Sequence, residues 1–183
     1  MTLESRNEHF TGKSRNMTLT KTILSILFFV LLSGCGFYKM NGVTVPPDVK
    51  TVSIQYFENR ASIVNPLLSQ VVSEKLKNKF IRDTQLGLVA EDGDFSFSGT
   101  ITEYTVQPVS VQENTTSTLN RLKIAVQVKL DCKKHPKMSF DQTFQNFQDF
   151  DANKSFSSVE AALVDEITEM IVQEIFNKAA INW

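Results

Sequence analysis

The stretch from Leu122 to Cys132 constrains the fold most strongly, because apolar and polar side chains alternate along it, with Ala125 as the one apolar residue at a polar position. Side chains of a β-strand point to opposite faces with a period of two, so this segment is predicted to be a strand with one buried and one solvated face. The apolar set is Leu122, Ile124, Val126, Val128, Leu130 and Cys132, and the polar set includes Arg121, Lys123, Gln127, Lys129 and Asp131.

Two segments on the amino-terminal side predict further strands. Lys50–Phe57 alternates, with Val52, Ile54 and Tyr56 on one side, as in a half-buried strand. Leu86–Ala90 is short and apolar and is predicted to add a brief strand to the same sheet.

A long strand is predicted to begin at Phe95, after a turn at Glu91–Asp94 in which Gly93 is available for a positive φ. Its alternation loses phase after Ile101, which predicts a β-bulge near Glu103. The bulge would let the strand continue while its inward-facing positions shift by one residue.

The polar stretch Ser110–Ser117 is predicted to be a mobile loop between the two long strands. After the lysine-rich turn Lys133–Lys137, Ser139–Phe150 is predicted as an irregular strand in which Phe147 and Phe150 break the alternation. Spacings of three in this segment also suit a helix, but its content of Gln, Asn, Thr and Asp disfavours one.

Apolar residues at three- and four-residue spacing predict two amphipathic helices. The first, of about 17 residues, starts at the Asn65 cap with Pro66 in its first turn. The second starts at a capping box, Ser157–Glu160, and ends near Ala179. Their apolar stripes are Leu67, Leu68, Val71, Val72, Leu76, Phe80 and Ile81 in the first, and Val159, Leu163, Ile167, Met170, Ile171 and Ile175 in the second.

The order of these elements is strand, helix, four strands, helix. Helices separated from a run of hairpin-linked strands indicate an α+β fold, with both helices packed on one face of a mostly antiparallel four- to five-stranded sheet. The other face of the sheet is predicted to stay partly free, and its polar side includes Arg121, Lys123 and Lys129.

The amino-terminal region has the pattern of a targeting sequence. The apolar run Ile23–Leu32 would rise only ~15 Å as a helix, about half of a bilayer core, which suits the apolar part of a secretory signal. The residues that follow, Leu32-Ser33-Gly34-Cys35, resemble the bacterial lipobox, in which the cysteine sulfur is acylated. A buried helix and an uncut signal-anchor are the alternatives.

These features predict three parts. Residues 1–34 form the signal peptide, and Met17 leaves open whether residues 1–16 are an over-extended start. Residues 35–47 hold the lipidated Cys35 and a tether, and residues 48–183 form a single α+β domain. By resemblance to lipoproteins, Gly36 after the cysteine favours delivery to the outer membrane, and the lack of an acidic cluster after it favours a periplasm-facing domain.

The residue content argues against most catalytic and nucleic-acid-binding classes. The chain has two Cys and two His, too few for a zinc-type cluster, and no phosphate-binding loop, HExxH helix or nucleophile elbow. Residues 35–183 carry 15 basic against 18 acidic side chains, net −3, unlike a polycationic nucleic-acid binder. Asp92 and Asp94 suit a solvated turn better than a carboxylate dyad. No enzyme activity, no metal and no cofactor other than the lipid on Cys35 are expected.

Cys132 is the only thiol left once Cys35 is acylated, and His135 lies three residues from it. A catalytic thiol would need such a base, but Cys132 continues the apolar face of its strand. Burial in the core is therefore the preferred interpretation.

Several stretches together resemble the lipopolysaccharide-assembly lipoprotein family LptE, particularly its Bacteroidetes-type members. The similarity lies in their order along the chain rather than in any one of them. They are the lipobox with Gly36-Phe37-Tyr38, the segment Val49–Asn59, the Asn65-Pro66 helix, the segment Asp94–Tyr104 and the terminal segment Ile175–Trp183.

The resemblance implies a non-enzymatic outer-membrane protein that plugs and helps assemble the LptD β-barrel translocon. It also implies contact with lipopolysaccharide on its way to the outer leaflet, and membrane attachment through the lipid anchor. The candidate contacts to lipopolysaccharide or the barrel are the basic residues Arg121, Lys123, Lys129, Lys133, Lys134 and Lys137, which could pair with phosphates or be merely solvated. The alternative function is a periplasm-facing envelope lipoprotein that binds a small ligand or acts as a scaffold without LptD.

Overall fold

The computed structural model describes residues 45–63, 65–109 and 118–181. The predicted signal peptide, Cys35, most of the tether, the predicted loop 110–117 and Trp183 lie outside the described residues. Within the described residues the elements are β1 (Thr51–Ile54), β2 (Glu58–Asn59), α1 (Leu68–Asp83), β3 (Gly87–Leu88), β4 (Phe95–Val109), β5 (Leu119–Cys132), a 3₁₀ turn (Pro136–Met138), β6 (Phe140–Asp151) and α2 (Phe156–Ala180).

The described strands form one mixed sheet in the order β3-β1-β4-β5-β6, with β2 also paired to β4. β1 runs parallel to both β3 and β4, and β2 runs parallel to β4, whereas β4, β5 and β6 are antiparallel. The α+β class is confirmed, and the long pairings of the sheet are antiparallel as predicted, but the sheet has six strands instead of four or five and is mixed, with short parallel pairings at β1 and β2. The reason is α1, which carries the chain back along the sheet so that β3 enters parallel to β1.

The antiparallel part of the sheet follows the sequence pattern closely. β4 and β5 pair from Phe95↔Cys132 to Val109↔Leu119, and the register shifts between Ile101 and Glu103. The predicted bulge is therefore confirmed. It brings Tyr104 onto the same face as Ile101, so one face of the sheet remains apolar on both sides of the irregularity.

Both helices pack on that apolar face, as predicted. The ring centre of Phe80 in α1 lies 4.9 Å from that of Phe97 in β4 and 5.1 Å from that of Phe176 in α2, so the Phe80 ring contacts both the sheet and the second helix. The inward side chains of β5 are fully buried beneath them, Cys132 included, which confirms that this thiol continues the core.

The first helix differs from the sequence pattern at its ends. α1 begins two residues after Pro66, with Leu67 as its N-cap and no side-chain cap, and the predicted capping residue Asn65 instead accepts the Leu67 N–H at 3.0 Å in the turn before the helix. Leu67 and Ile81, both assigned to the apolar stripe, are exposed. They lie at the two ends of the helix, beyond the part that the sheet and α2 cover.

The first predicted strand is shorter than expected and ends at Ile54. Tyr56 was predicted to face inward but is 61% exposed, whereas Phe57 is fully buried. The chain turns between β1 and β2, and the Phe57 N–H is held by the Ser73 hydroxyl of α1 at 3.1 Å. The Phe57 ring occupies the space above Gly99, where a Cβ atom would lie 2.6 Å from it.

The turn before β4 also differs in detail. The positive φ of this turn belongs to Asp92, at 57°, and not to Gly93. Gly93 is instead required by close packing, because a Cβ atom there would lie 2.5 Å from the Ser53 nitrogen. Both features keep the turn tight against the start of β1.

The predicted capping box of the second helix does not form. α2 begins at Phe156, and the Ser158 hydroxyl donates to the Ser155 carbonyl instead of the box pairing with Glu160. Glu160 turns toward the sheet, where it accepts hydrogen bonds from the Tyr104 hydroxyl at 2.5 Å and the Asn65 side-chain amide at 2.8 Å. A part-buried contact to the sheet has therefore replaced the local cap.

Candidate functional site

The side of the sheet opposite the helices is polar and is called the open face here. It consists of alternate residues from three adjacent strands, which the sheet register brings side by side. Its members are Ser96, Ser98, Thr100, Glu103 and Thr105 from β4, Arg121, Lys123, Gln127, Lys129 and Asp131 from β5, and Asp141, Thr143, Gln145, Phe147 and Asp149 from β6.

Arg121 is held rigidly on the open face. Its Nε and Nη2 atoms donate to both carboxylate oxygens of Asp149, at 2.7 and 2.9 Å, and its guanidinium lies 3.7 Å from the centre of the Phe147 ring. These hydrogen bonds raise the pKa of Arg121 and lower the pKa of Asp149. Arg121 is therefore already engaged in a bidentate pair and a stacking contact.

The other two open-face cations differ from each other. Lys123 pairs with Glu103 across the bulge, at 2.9 Å. Lys129 forms no ion pair with any described residue, although Asp141 is its cross-strand neighbour. Asp141 instead accepts a hydrogen bond from the Gln127 side-chain amide at 3.0 Å, which leaves the Lys129 ammonium available to a ligand.

The lysines of the turn after β5 lie at the far end of the sheet. Lys133 pairs with Asp92 at 3.0 Å and Lys134 pairs with Asp94 at 2.9 Å, so the basic turn is bound to the acidic turn before β4. Lys137 has no ion-pair partner among the described residues.

Asp94 is the centre of this second cluster. It accepts backbone N–H groups from Lys50 and Thr51, at 2.7 and 3.1 Å, and the Lys134 ammonium. The Lys50 N–H above all, with the Lys134 ammonium next, lowers the pKa of Asp94 to about 2. Asp48 accepts His135 Nε2 at 2.9 Å, and this hydrogen bond is the main cause of its lowered pKa. The cluster binds the start of the domain to the β5–β6 turn.

The six candidate basic residues therefore do not form one patch. Arg121 and Lys133 are twelve residues apart on and just beyond the same strand, which corresponds to ~40 Å at the rise of a β-strand. Lys133 and Lys134 have a structural role at one end of the sheet. Of the six candidates, Lys129 and Lys137 are the two without a carboxylate partner among the described residues.

A shallow polar groove crosses the open face beside Lys129. It has a volume of about 360 Å³ and runs between the β1–β2 segment and the strands β4 and β5. The exposed Tyr56 ring and the Arg60 guanidinium stand on one side of it, with Lys129 on the other. Its lining is completed by Gln55, Glu58, Ser98, Gly99, Thr100, Gln127 and Asp141.

Most of this groove is not evident from the amino-acid sequence. Arg60 reaches it because its N–H bonds to the Ile101 carbonyl at 2.9 Å, next to the two-residue strand β2, which has no periodicity to detect. Tyr56 was placed on the wrong side. The open-face alternation of β5 was the only signal, and it pointed correctly to Lys129.

The groove is lined by hydroxyls and amides, by the cations Arg60 and Lys129 and by the carboxylates of Glu58 and Asp141. Arg60 is paired with Glu58 at 2.7 Å, whereas Lys129 has no ion-pair partner among the described residues, so the lining suits sugar hydroxyls and a phosphate beside Lys129. The Cys132 thiol is buried on the opposite face, and burial raises its pKa, so it is an unreactive core residue. Among the described residues no group of His, Cys, Asp and Glu side chains converges as a metal site.

The described part of the chain also contains no helix long and apolar enough to cross a bilayer.

Solved structures with a similar arrangement come from several bacteria. A minor lipoprotein of Acinetobacter baumannii has 15% identity and a TM-score of 0.47, with 71% of this chain and 91% of that chain covered. Protein CT253 of Chlamydia trachomatis has 11% identity, a TM-score of 0.46 and coverage of 73% and 99%. Lipoprotein B of Nitrosomonas europaea has 12% identity, a TM-score of 0.44 and coverage of 73% and 86%.

No curated protein matches the chain in sequence. A family model does match it, over residues 49–179, which extend from just before β1 into the last turn of α2. The model is that of LptE, described as lipopolysaccharide assembly. The family is one of non-enzymatic envelope lipoproteins. Because the match covers nearly all of the described residues, the chain belongs to the LptE family of lipopolysaccharide-assembly proteins.

Proposed function

We propose that this protein is an outer-membrane lipoprotein that plugs and helps assemble an LptD-type β-barrel translocon, and takes part in delivering lipopolysaccharide to the outer leaflet. The family match over residues 49–179 carries the proposal. The protein is anchored by acyl chains on Cys35, and the tether of residues 35–47 spans up to ~40 Å when extended, enough to place the domain inside a barrel.

The surface chemistry of the domain is compatible with this role. Residues 35–183 carry net −3, which suits a barrel lumen with a basic lining. The groove beside Lys129 presents two cations and several hydroxyl and amide groups, which suit the phosphates and sugar hydroxyls of lipid A. We therefore assign lipopolysaccharide contact to Lys129, which has no carboxylate partner among the described residues, in preference to Lys133 and Lys134, which are bound to Asp92 and Asp94. Arg60 lines the same groove but is paired with Glu58 at 2.7 Å.

Affinity purification from membranes of the native host tests the partner. The lipidated protein is expected to recover a large outer-membrane barrel in a near one-to-one ratio, and the matched control Cys35→Ser is expected to lose it. Recovery of soluble periplasmic proteins alone would contradict the proposal.

Depletion of the protein separates the proposal from the alternative, a periplasm-facing lipoprotein that uses the same groove for a small ligand or acts as an envelope scaffold. Loss of lipopolysaccharide from the cell surface supports the translocon role. Intact surface lipopolysaccharide with altered cell shape or cell-wall linkage supports the alternative.

Photocrosslinking tests the assignment of the groove. A photoreactive residue in place of Lys129 is expected to label lipopolysaccharide, and the same residue in place of Lys133 is expected not to. Equal labelling at both positions would contradict a specific role for the groove.

A further inference from the structure

The outer edge of β6 is a long strand edge that no described residue pairs with. The strand has 12 residues and is paired with β5 on one side only, in a register without a break. The opposite edge of the sheet is β3, which has only two residues. The sheet formed by the described strands thus has one minimal edge and one extended edge.

The backbone register identifies which groups point outward. Antiparallel partners exchange backbone hydrogen bonds at every second residue, and the Ala152 N–H bonds to the Thr118 carbonyl at 3.0 Å. By this alternation the even-numbered residues of β6 face β5 and the odd-numbered residues present their N–H and C=O groups outward. The outward residues are Asp141, Thr143, Gln145, Phe147 and Asp149, and all five are exposed.

This edge lacks the features that usually prevent strand pairing. Natural edge strands are commonly protected by lysines, prolines or bulges. The segment Phe140–Asp151 has no Lys, Arg or Pro, and its pairing with β5 contains no bulge. An edge of this length without protection is suited to accept another strand.

The charge around the edge indicates what kind of strand fits. From Ser139 to Asn177 the chain has eight Asp and Glu residues and one basic residue, Lys154. On the helix side, Glu174 and Glu166 lie next to the edge, because they accept the side-chain amides of Asn146 and Gln148 at 2.9 and 3.0 Å. On the open face the edge carries Asp149, whose carboxylate is already paired with Arg121, and Asp141, which forms no ion pair with a described residue. The carboxylates without a cation partner among the described residues, Glu166, Glu174 and Asp141, therefore border the edge on both faces.

We infer that the outer edge of β6, from Asp141 to Asp149, binds an extended segment of a partner protein that carries lysine or arginine side chains, which adds a seventh strand to the sheet. Backbone hydrogen bonds to the odd-numbered residues supply the pairing, apart from the Phe147 N–H, which already donates to the Asn146 side-chain oxygen at 3.2 Å. The carboxylates of Glu166, Glu174 and Asp141 select a basic segment. The exposed Phe147 ring gives one apolar contact for a partner side chain. The inference is independent of the translocon proposal, because it concerns only this edge and its charge.

A peptide-binding experiment tests the inference with the full-length lipidated protein in detergent. The probe is a fluorescent peptide of alternating lysine and valine, followed by anisotropy. This lysine-valine peptide is expected to bind at least about tenfold more tightly than either of two comparison peptides. An alternating glutamate-valine peptide reverses the charge. An alternating lysine-proline peptide keeps the lysine charge but lacks half of the backbone N–H groups. Equal binding of either comparison peptide would overturn the inference.

The matched protein variants are Gln145→Pro, which removes an outward N–H, and Gln145→Ser, which keeps it. The proline variant is expected to weaken binding of the lysine-valine peptide about tenfold, and the serine variant less than about twofold. Unchanged binding by a folded Gln145→Pro protein would overturn the inference. If that variant does not fold, Thr143→Pro replaces it, and the comparison peptides test the wild-type protein in any case.

Self-association is the other way to cover this edge. Sedimentation of the wild-type protein is expected to show no dimer that depends on the β6 edge, which means no dimer that is lost in the Gln145→Pro variant. A dimer of this kind would assign the edge to a second copy of the chain and overturn the inference.

Discussion

The two faces of β5 are built by different forces although they belong to one strand. The helix-covered face is stabilised by close packing of apolar side chains, with Leu122, Ile124 and Leu130 fully buried. The open face is arranged by pairing, with Arg121 held by Asp149 and Lys123 by Glu103. Neighbouring residues along the strand therefore contribute very unequally to stability.

The difference shows how the fold keeps a free surface for binding. Burial of an apolar side chain contributes about 1.5–3 kcal/mol, whereas a solvent-accessible ion pair contributes about 0–1 kcal/mol. The covered face can therefore hold the sheet together alone. Side chains on the open face can therefore be adapted to a ligand or partner with little loss in the free energy of unfolding.

The largest expected effect compares Leu130→Ala with its neighbour Lys129→Ala. Leu130 is fully buried, so its truncation removes packing and leaves a cavity, and the free energy of unfolding should fall by about 2–5 kcal/mol. Lys129 is unpaired among the described residues, and its truncation should change stability by less than about 0.5 kcal/mol. Urea unfolding measures both, and similar values for the two variants would break the comparison.

The next effect concerns the hydrogen bond from the Tyr104 hydroxyl to Glu160 on the covered face. Burial, together with the hydrogen bond to Glu160, raises the pKa of Tyr104 to about 12. Tyr104→Phe should reduce the free energy of unfolding by about 1.5–3 kcal/mol at neutral pH, because Glu160 loses a hydrogen bond.

The same tyrosine predicts a pH dependence. Its pKa is higher in the folded than in the unfolded protein, so its stabilising contribution is complete below pH ~10 and is lost as pH rises through about 12. Unfolding free energies measured from pH 9 upward should converge for the wild type and Tyr104→Phe. A constant difference across this range would contradict the role assigned to the hydroxyl.

A smaller effect is expected from added volume at Gly99. A Cβ atom there would lie 2.6 Å from the Phe57 ring and 2.8 Å from the Gln127 carbonyl oxygen, and the backbone oxygen cannot move away easily. Gly99→Ala should therefore cost about 1–3 kcal/mol in urea unfolding. Gly87→Ala is the matched control, since its nearest neighbour would be 3.8 Å away, and an equal loss in both variants would contradict the packing argument.

The smallest effect is expected for the open-face pair of Lys123 and Glu103. A double-mutant cycle with Lys123→Ala and Glu103→Ala should give a coupling energy of about 0.2–1 kcal/mol that declines with added salt. A coupling energy as large as the loss in Leu130→Ala would show that the open face also holds the fold together.

Sequence patterns were most reliable where one element presents the same face over many residues. The alternation of β5 and the change of phase after Ile101 predicted the long hairpin and its bulge correctly. The helical spacing in α1 and α2 predicted their buried sides, apart from Leu67 and Ile81 at the ends of α1. These patterns repeat often enough to identify both the element and its orientation.

Predictions failed where contacts with a distant part of the chain determine the position of a side chain. Glu160 has the spacing of a capping residue, but Tyr104 and Asn65 bind it instead. Tyr56 has the spacing of an inward residue, but the chain leaves β1 early so that Phe57 can fill the space above Gly99. Candidate cations were identified by type, yet Lys133 and Lys134 are bound to carboxylates more than 35 residues away in the sequence.

The sequence by itself determined the α+β class, the two long strands with their covered and open faces, and the family resemblance. Only the tertiary structure decided the parallel pairing of β1, the groove beside Lys129 and the unpaired edge of β6. The physical reason is that side-chain periodicity reports the environment of one element at a time. Grooves and edges depend on which strands lie side by side and in which register, and that follows from packing among segments far apart in the chain.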